Sequence, residues 1–368
     1  MNREVKKSCN KGCDKEDGKE AMIVVEWHLS VMLVERKKRS EKMSTNQIEE
    51  NIQREEKISR KETTQRKEEM PGKEKMQCKW LPYLLVLASG CLWGCMGLLV
   101  RRLNSYGMDA MEIAWLRVAV AFLFMFLGVL VLKPSLLRIR WKDLWCFAGT
   151  GICSLSVFTV AYFYTMELTS LSVAAVLLYT APAFVTAMSF FLFNETINRQ
   201  KVIALCMAFV GCILVTGVLT STPALTGAGI LCGLLSGFGY ALYSIFSRFA
   251  MQRGYGSITI TVYTFLMASI ALLPIIKVQH IGACLIGKGI GGIGWTVLMI
   301  FLVTVAPYLC YTKGLTGMEN GRASVIASIE PVMATVIGIL VFGESNSAMT
   351  WVGILLVIGS IGVISKTS

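Results

Sequence analysis

Histidine is almost missing from this chain: His28 and His280 are the only two in 368 residues. The long apolar part contains no His-Glu-x-x-His pair and no aspartate-rich diphosphate motif, and nothing in it completes a phosphate loop with its Ser or Thr. Zinc-hydrolase and nucleotide-hydrolysing chemistry therefore lack their residues, and no enzyme activity, cofactor or metal is expected. Charge is scarce as well. Of 36 Lys+Arg and 24 Asp+Glu, 20 and 16 fall in the first 80 residues, which leaves 16 and 8 for the 288 that follow. So few charges do not suit the surface of a soluble domain. Twelve cysteines could suggest a disulfide framework. Eight of them (Cys91, Cys95, Cys146, Cys153, Cys206, Cys212, Cys232 and Cys310) fall in or beside apolar helices, where they read as small packing residues. Cys9 and Cys13 have no second ligand pair, which argues against zinc.

What the chain does have is length in hydrophobic runs. It is 54% hydrophobic, with mean hydropathy +0.58. Its apolar stretches recur at about 20 residues, the length that crosses about 30 Å of hydrocarbon at 1.5 Å per residue. Ten spans are predicted, near 81–101, 110–132, 144–165, 171–193, 200–219, 227–249, 257–277, 292–313, 321–342 and 349–365. The fold class expected is an all-α integral membrane protein. Residues 1–80 are Lys/Glu-rich and poor in aromatics, and they read as a disordered cytosolic tail. The apolar patch from Ala21 to Val34 is too short to span and badly placed for a secretory signal. Met43, Met70 and Met76 are each an alternative start that would leave the membrane part untouched.

The halves repeat each other. Tyr179-Thr-Ala-Pro182 is followed by an apolar run to Glu195, and Ser328-Ile-Glu-Pro331 by one to Glu344, with 13 positions from proline to glutamate in both. Ser89 to Arg101 aligns with Ser236 to Arg248 at an offset of 147, as do Tyr164-Thr165 and Tyr311-Thr312. Residues 81–219 and 227–365 are therefore read as two five-span repeats. Five is odd, so the second repeat must run through the membrane upside down, the geometry used for alternating access. With the N-terminus inside, the inner loops and C-terminus carry eleven Lys/Arg and the outer loops four: Arg101, Arg102, Lys277 and Lys288. This satisfies the positive-inside rule with both termini cytoplasmic. The net charge of +12 then serves topology, not nucleic acid.

Pro182 to Asn194-Glu195 and Pro331 to Gly343-Glu344, with Trp93-Gly94 and Arg117, resemble the EamA-type repeat of the drug/metabolite transporter superfamily. The resemblance covers residues 81–365. It implies a ten-helix bundle of two inverted five-helix repeats acting as a secondary carrier in the cytoplasmic membrane, often an exporter. The long charged tail departs from that pattern.

Glu330 is the leading candidate for substrate binding or proton coupling, about ten residues or 15 Å into its span, because an intramembrane carboxylate is costly unless protonated or paired. A structural alternative is a neutral Glu330 capping the carbonyl freed by Pro331. Arg117 could contact an anionic group, pair with a carboxylate or snorkel outward. Trp93, Tyr240 and Tyr179 are candidate pocket residues, whereas Tyr164 and Tyr311 read as membrane-boundary anchors. Pro182 and Pro331 are candidate helix breaks for gating, since proline frees a backbone carbonyl at membrane depth. Glu195 and Glu344 read as boundary anchors or gate contacts. Only Arg117 is a deep cation, with Lys313 and Arg322 as a weak second pair. The expected substrates are therefore amino acids, amines or similar small metabolites, with organic anions or phosphorylated metabolites as runner-up. The partners expected are that small molecule, the lipid bilayer and a coupling proton. A homodimer and a non-transport membrane role stay open.

Overall fold

A computed structural model describes residues 80–220, 225–344 and 347–366. The expectations for residues 1–79 lie outside the described residues. Among those described the chain is helical, without strands.

Nine helical stretches are long and apolar enough to cross a membrane: α1 (Leu81–Asn104), α2 (Ala110–Leu132), α3 (Trp141–Leu168), α4 (Leu171–Phe193), α6 (Gly227–Gln252), α7 (Ser257–Ile275), α8 (Gly289–Gly314), α9 (Asn320–Phe342) and α10 (Ala348–Ser365). The fifth expected span is shorter than its sequence window. Helix α5 (Arg199–Val215) stops after 17 residues, where Gly217 takes φ 66° and turns the chain. Its length, about 26 Å at the helical rise, sits at the lower limit for a span. It packs along α10, with Gly211 and Gly353 letting the two backbones meet.

Short polar side chains set the starts. Asp109 and Glu112 form a reciprocal capping box on α2, with Asp109 Oδ1 accepting from the Glu112 amide at 2.8 Å. Ser170, Asn198, Thr226 and Ser347 each accept an amide hydrogen bond at the heads of α4, α5, α6 and α10. Such caps satisfy amides that the first turn leaves without partners. The spacing Gly282 to Gly287-Lys288 begins like a phosphate loop. However, Gly289 stands where Ser or Thr would be, and most of the segment is a short helix, Val278–Ile286.

The spans that carry Pro182 and Pro331 are both broken. α4 consists of Leu171–Leu178 and Ala181–Phe193, and α9 of Asn320–Ala327 and Glu330–Phe342. Pro182 and Pro331 sit in the first turn of the second halves, where a missing amide costs least. The carbonyls freed one turn earlier, on Leu178 and Ala327, face Gly237 of α6 and Gly90 of α1.

These close approaches define how the helices run. α1 lies parallel to α9: Gly90 meets Ala327 and Ile329, and Gly94 meets Glu330 and Met333. Arg322 donates to Tyr83 at one end of that pair, and Arg101 meets Glu344 at the other. α6 lies parallel to α4 in the same manner: Gly229 meets Leu168 and Thr169, Gly237 meets Leu177 and Thr180, and Arg248 reaches Glu195. The glycine stripe Gly229, Gly233, Gly237 is therefore the packing face for α4. A methyl group at Gly94 would lie 2.5 Å from Met333 Cβ and 2.8 Å from the Glu330 carbonyl oxygen; at Gly237 it would lie 2.8 Å from the Leu177 carbonyl oxygen. Gly94→Ala and Gly237→Ala are each expected to cost about 1–3 kcal/mol by overpacking, read as a lowered melting temperature of purified protein.

Besides a turn at Cys95 that interrupts α1 between Gly94 and Met96, two widened segments were not foreseen. α3 carries a π-helical segment at Gly149–Ser156 and α8 one at Phe301–Val305. They occupy the same helix of each half, and widened turns of this kind recur at functional sites.

Candidate functional site

The two breaks and the deep glycines bring Glu330 to the middle of the bundle. It is the first residue of the second half of α9, half-buried, with Gly94 of α1 against its backbone. Arg117 of α2 is the charged side chain within electrostatic reach of Glu330. Yet no ion pair joins them, although ion pairs are formed by six other Lys and Arg side chains among the described residues. Arg117 Nη1 points to the Met96 sulfur at 3.0 Å, and its buried Nε has no hydrogen-bond partner in the described structure. Two groups able to carry opposite charge are thus held in one neighbourhood but without an ion pair between them.

Around them stand polar rings from many helices. A charge on Glu330 would be felt by Tyr162 of α3, Tyr179 at the break in α4, Cys212 of α5, Tyr240 of α6 and Tyr308 of α8. Trp93 of α1 is buried among three tyrosines, with ring centroids 6.3 Å from Tyr240, 5.3 Å from Tyr308 and 5.5 Å from Tyr311. Edge-on and tilted pairs at these distances exceed simple area burial by about 0.5–1.5 kcal/mol each. Tyr243 and Ser244 hold the far side, through Thr312 Oγ1 at 2.6 Å and the Tyr311 hydroxyl at 2.8 Å.

The structure thus gathers Glu330, Arg117, Trp93, Tyr240 and Tyr179 in one region, with Pro182 and Pro331 buried at the breaks beside it. Tyr311 departs from its reading as a boundary anchor. It is only 2% exposed, because α8 turns it into the aromatic cluster. Tyr164 is exposed, as expected of an anchor. Tyr308 and Cys212 were passed over as site residues because nothing in their local sequence marks them. Lys313 and Arg322 form no basic pair: Lys313 is exposed and Arg322 binds Glu319 at 2.8 Å.

Charges also collect at the end where α1 and α9 begin and α4 and α6 finish. Glu195 is buried there, not placed at an exposed boundary. Its carboxylate accepts from the amides of Asn320 at 2.7 Å and Gly321 at 3.2 Å, with Arg248 and Lys201 at 3.8 and 3.9 Å. Lys201 also binds Glu319 at 2.9 Å. Partial burial opposes ionisation of Glu319, but Lys201 and Arg322 outweigh it and hold its carboxyl below the usual carboxylate range.

A helical bundle with spans broken at mid-depth, and with opposed charges and tyrosines gathered around the breaks, has the form of a multi-pass membrane carrier. The sequence pattern of the EamA-like transporter family matches residues 80–217 and again residues 227–366, and the chain belongs to that family. It is similar to an uncharacterized transporter of Archaeoglobus fulgidus, 28% identical over 66% of this chain and 84% of that protein. It is also similar to the uncharacterized transporter YwfM of Bacillus subtilis, 25% identical over 77% and 93% of the two chains. A solved crystal structure shares the fold, with TM-score 0.62 at 16% identity over 78% of this chain and 96% of that one.

Proposed function

We propose that this membrane transporter is a proton-coupled secondary carrier of small zwitterionic or amine metabolites, amino acids above all. It works by alternating access in the cytoplasmic membrane, as an exporter with both termini cytoplasmic. Its ten helices form two inverted five-helix repeats. The parallel pairing of α1 with α9 and of α6 with α4 supports that symmetry, since α1 and α6 correspond in sequence, as do α4 and α9.

The observation that carries the substrate class is the separation of Glu330 from Arg117. A zwitterion placed between them meets Glu330 with its ammonium group and Arg117 with its carboxylate, and it satisfies both charges where water is scarce. The tyrosines and Trp93 supply the apolar wall and polar tips. Trp93→Ala is expected to weaken substrate binding about tenfold or more, with Trp93→Phe much milder, measured as the dissociation constant of purified protein.

The experiment that tests the reading is a thermal-shift screen of wild type and Glu330→Gln with amino acids, polyamines, organic acids and nucleotide sugars. Ligands that bind the folded state raise its stability by mass action, so millimolar affinity suffices at high excess. Stabilisation by amino acids or amines that vanishes in Glu330→Gln upholds the reading. Stabilisation by anions alone, indifferent to Glu330, favours an organic-anion carrier. The unpartnered Arg117 Nε gives that second reading its support.

A further inference from the structure

We infer that Glu195 and Glu344 are the two latches of the transport cycle, each closing its own end of the path by capturing the first-helix arginine of the opposite half. This rests on the carrier reading above. Glu195 and Glu344 correspond in sequence, and so do Arg248 and Arg101. The pairs cross over: Glu195 of the first half lies 3.8 Å from Arg248 of the second, and Glu344 of the second half meets Arg101 of the first.

The local structure is built twice. Asn194 and Gly343 take φ 54° and 65° and end their helices in the left-handed region. The next amide then reaches back six residues, from Glu195 to the Ser189 carbonyl and from Glu344 to the Gly338 carbonyl. This closing turn folds both glutamate side chains across the helix end. The two sites lie at opposite ends of the bundle, since Tyr83 joins the Glu195 cluster through Arg322 and Glu319, whereas Arg101 stands 18 residues further along α1, about 27 Å away.

The two latches are not in the same state. The Glu195 side chain is 8% exposed and engaged by two amides, Arg248 and Lys201, whereas the Glu344 side chain is 47% exposed and its Arg101 partner 53%. Lys201 has no counterpart in the second half, where Ala348 to Thr350 occupy the corresponding positions. A buried, multiply bonded carboxylate is costly to strip of its partners, while an exposed pair contributes little. The structure is therefore closed at the Glu195 end, the cytoplasmic one. In the reverse state Glu195 and Arg248 separate into water, and Glu344 and Arg101 become enclosed.

Thr186 and Thr335, which also correspond, report on the two ends. Thr186 packs beside Gly321 under the Glu195 latch. The test places Thr186→Cys or Thr335→Cys in full-length protein lacking its native cysteines and measures labelling by impermeant maleimide from each side of proteoliposomes. Glu195→Gln is expected to raise cytoplasmic labelling of Thr186→Cys about tenfold and to lower outside labelling of Thr335→Cys. Glu344→Gln is expected to move both the opposite way. The exposed exchange Arg101→Glu with Glu344→Arg, which leaves the folded core untouched, should restore the wild-type ratio. Unchanged labelling, or a rise at both reporters together, would overturn the latches and leave Glu195 a structural clamp. If the reciprocal shift occurs but no ligand binds, the latches stand and only the substrate reading falls.

Discussion

Glu330→Gln is expected to reduce uptake driven by a pH gradient to background while leaving expression and fold intact. Glutamine keeps the size and most hydrogen bonds of the side chain, so the first turn of the second half of α9 and its contact with Gly94 persist. What is lost is the capacity to bind and release a proton at the middle of the bundle. Exchange of substrate for substrate without a gradient needs no proton, and it should survive with weakened affinity. Replacing a charged acceptor by a neutral one removes about 1.5–3 kcal/mol from an ammonium contact, or about ten- to hundredfold in dissociation constant. Proteoliposome uptake and counterflow measured side by side separate the two roles. Full gradient-driven uptake in Glu330→Gln would remove Glu330 from coupling, and its place would be that of a neutral cap on the α9 break.

The all-helical membrane class, the breaks at Pro182 and Pro331 and the presence of a carboxylate at Glu330 inside an apolar span were legible because each leaves a local mark. An apolar run has a length, a proline removes an amide, and a carboxylate inside an apolar run stands out. What stayed hidden depends on how helices meet. Tyr311 and Tyr164 occupy equivalent sequence positions, yet one packs against Trp93 and the other is exposed. No window of sequence around either distinguishes them. Glu195 is similar: its place at a helix end was visible, whereas its bonds to Asn320 and Gly321, 125 and 126 residues later, were not. The π segment of α3 goes with close packing that sequence does not show, Gly149 against Phe246 and Gly151 against Met267, whereas that of α8 has a mark that was overlooked, Pro307, which leaves the Val303 carbonyl without its helical amide. The shortness of α5 was missed because hydropathy runs on past Val215, while the backbone turns at Gly217.

Arg117→Gln is expected to weaken binding of amino acids about ten- to hundredfold while leaving the matching decarboxylated amines nearly unaffected. The guanidinium is held by α2 with Nη1 against the Met96 sulfur, a weak acceptor, so its capacity for charged hydrogen bonds is open to a ligand. A bidentate carboxylate contact is stronger than a neutral one by about the amount assigned to Glu330, so the two variants should mirror each other. Glu330→Gln should penalise every ligand carrying an ammonium group, and Arg117→Gln every ligand carrying a carboxylate. Arg117→Lys keeps the charge and loses the planar fork, and it should fall between wild type and Arg117→Gln. Dissociation constants for an amino acid, its amine and its deaminated acid across wild type and the three variants complete the test. A carrier of organic anions would instead bind the acid most tightly, ignore Glu330→Gln and fail only when Arg117 is changed. Losses that are equal for all three ligands in Arg117→Gln would show that the arginine supports the fold of the site without touching substrate.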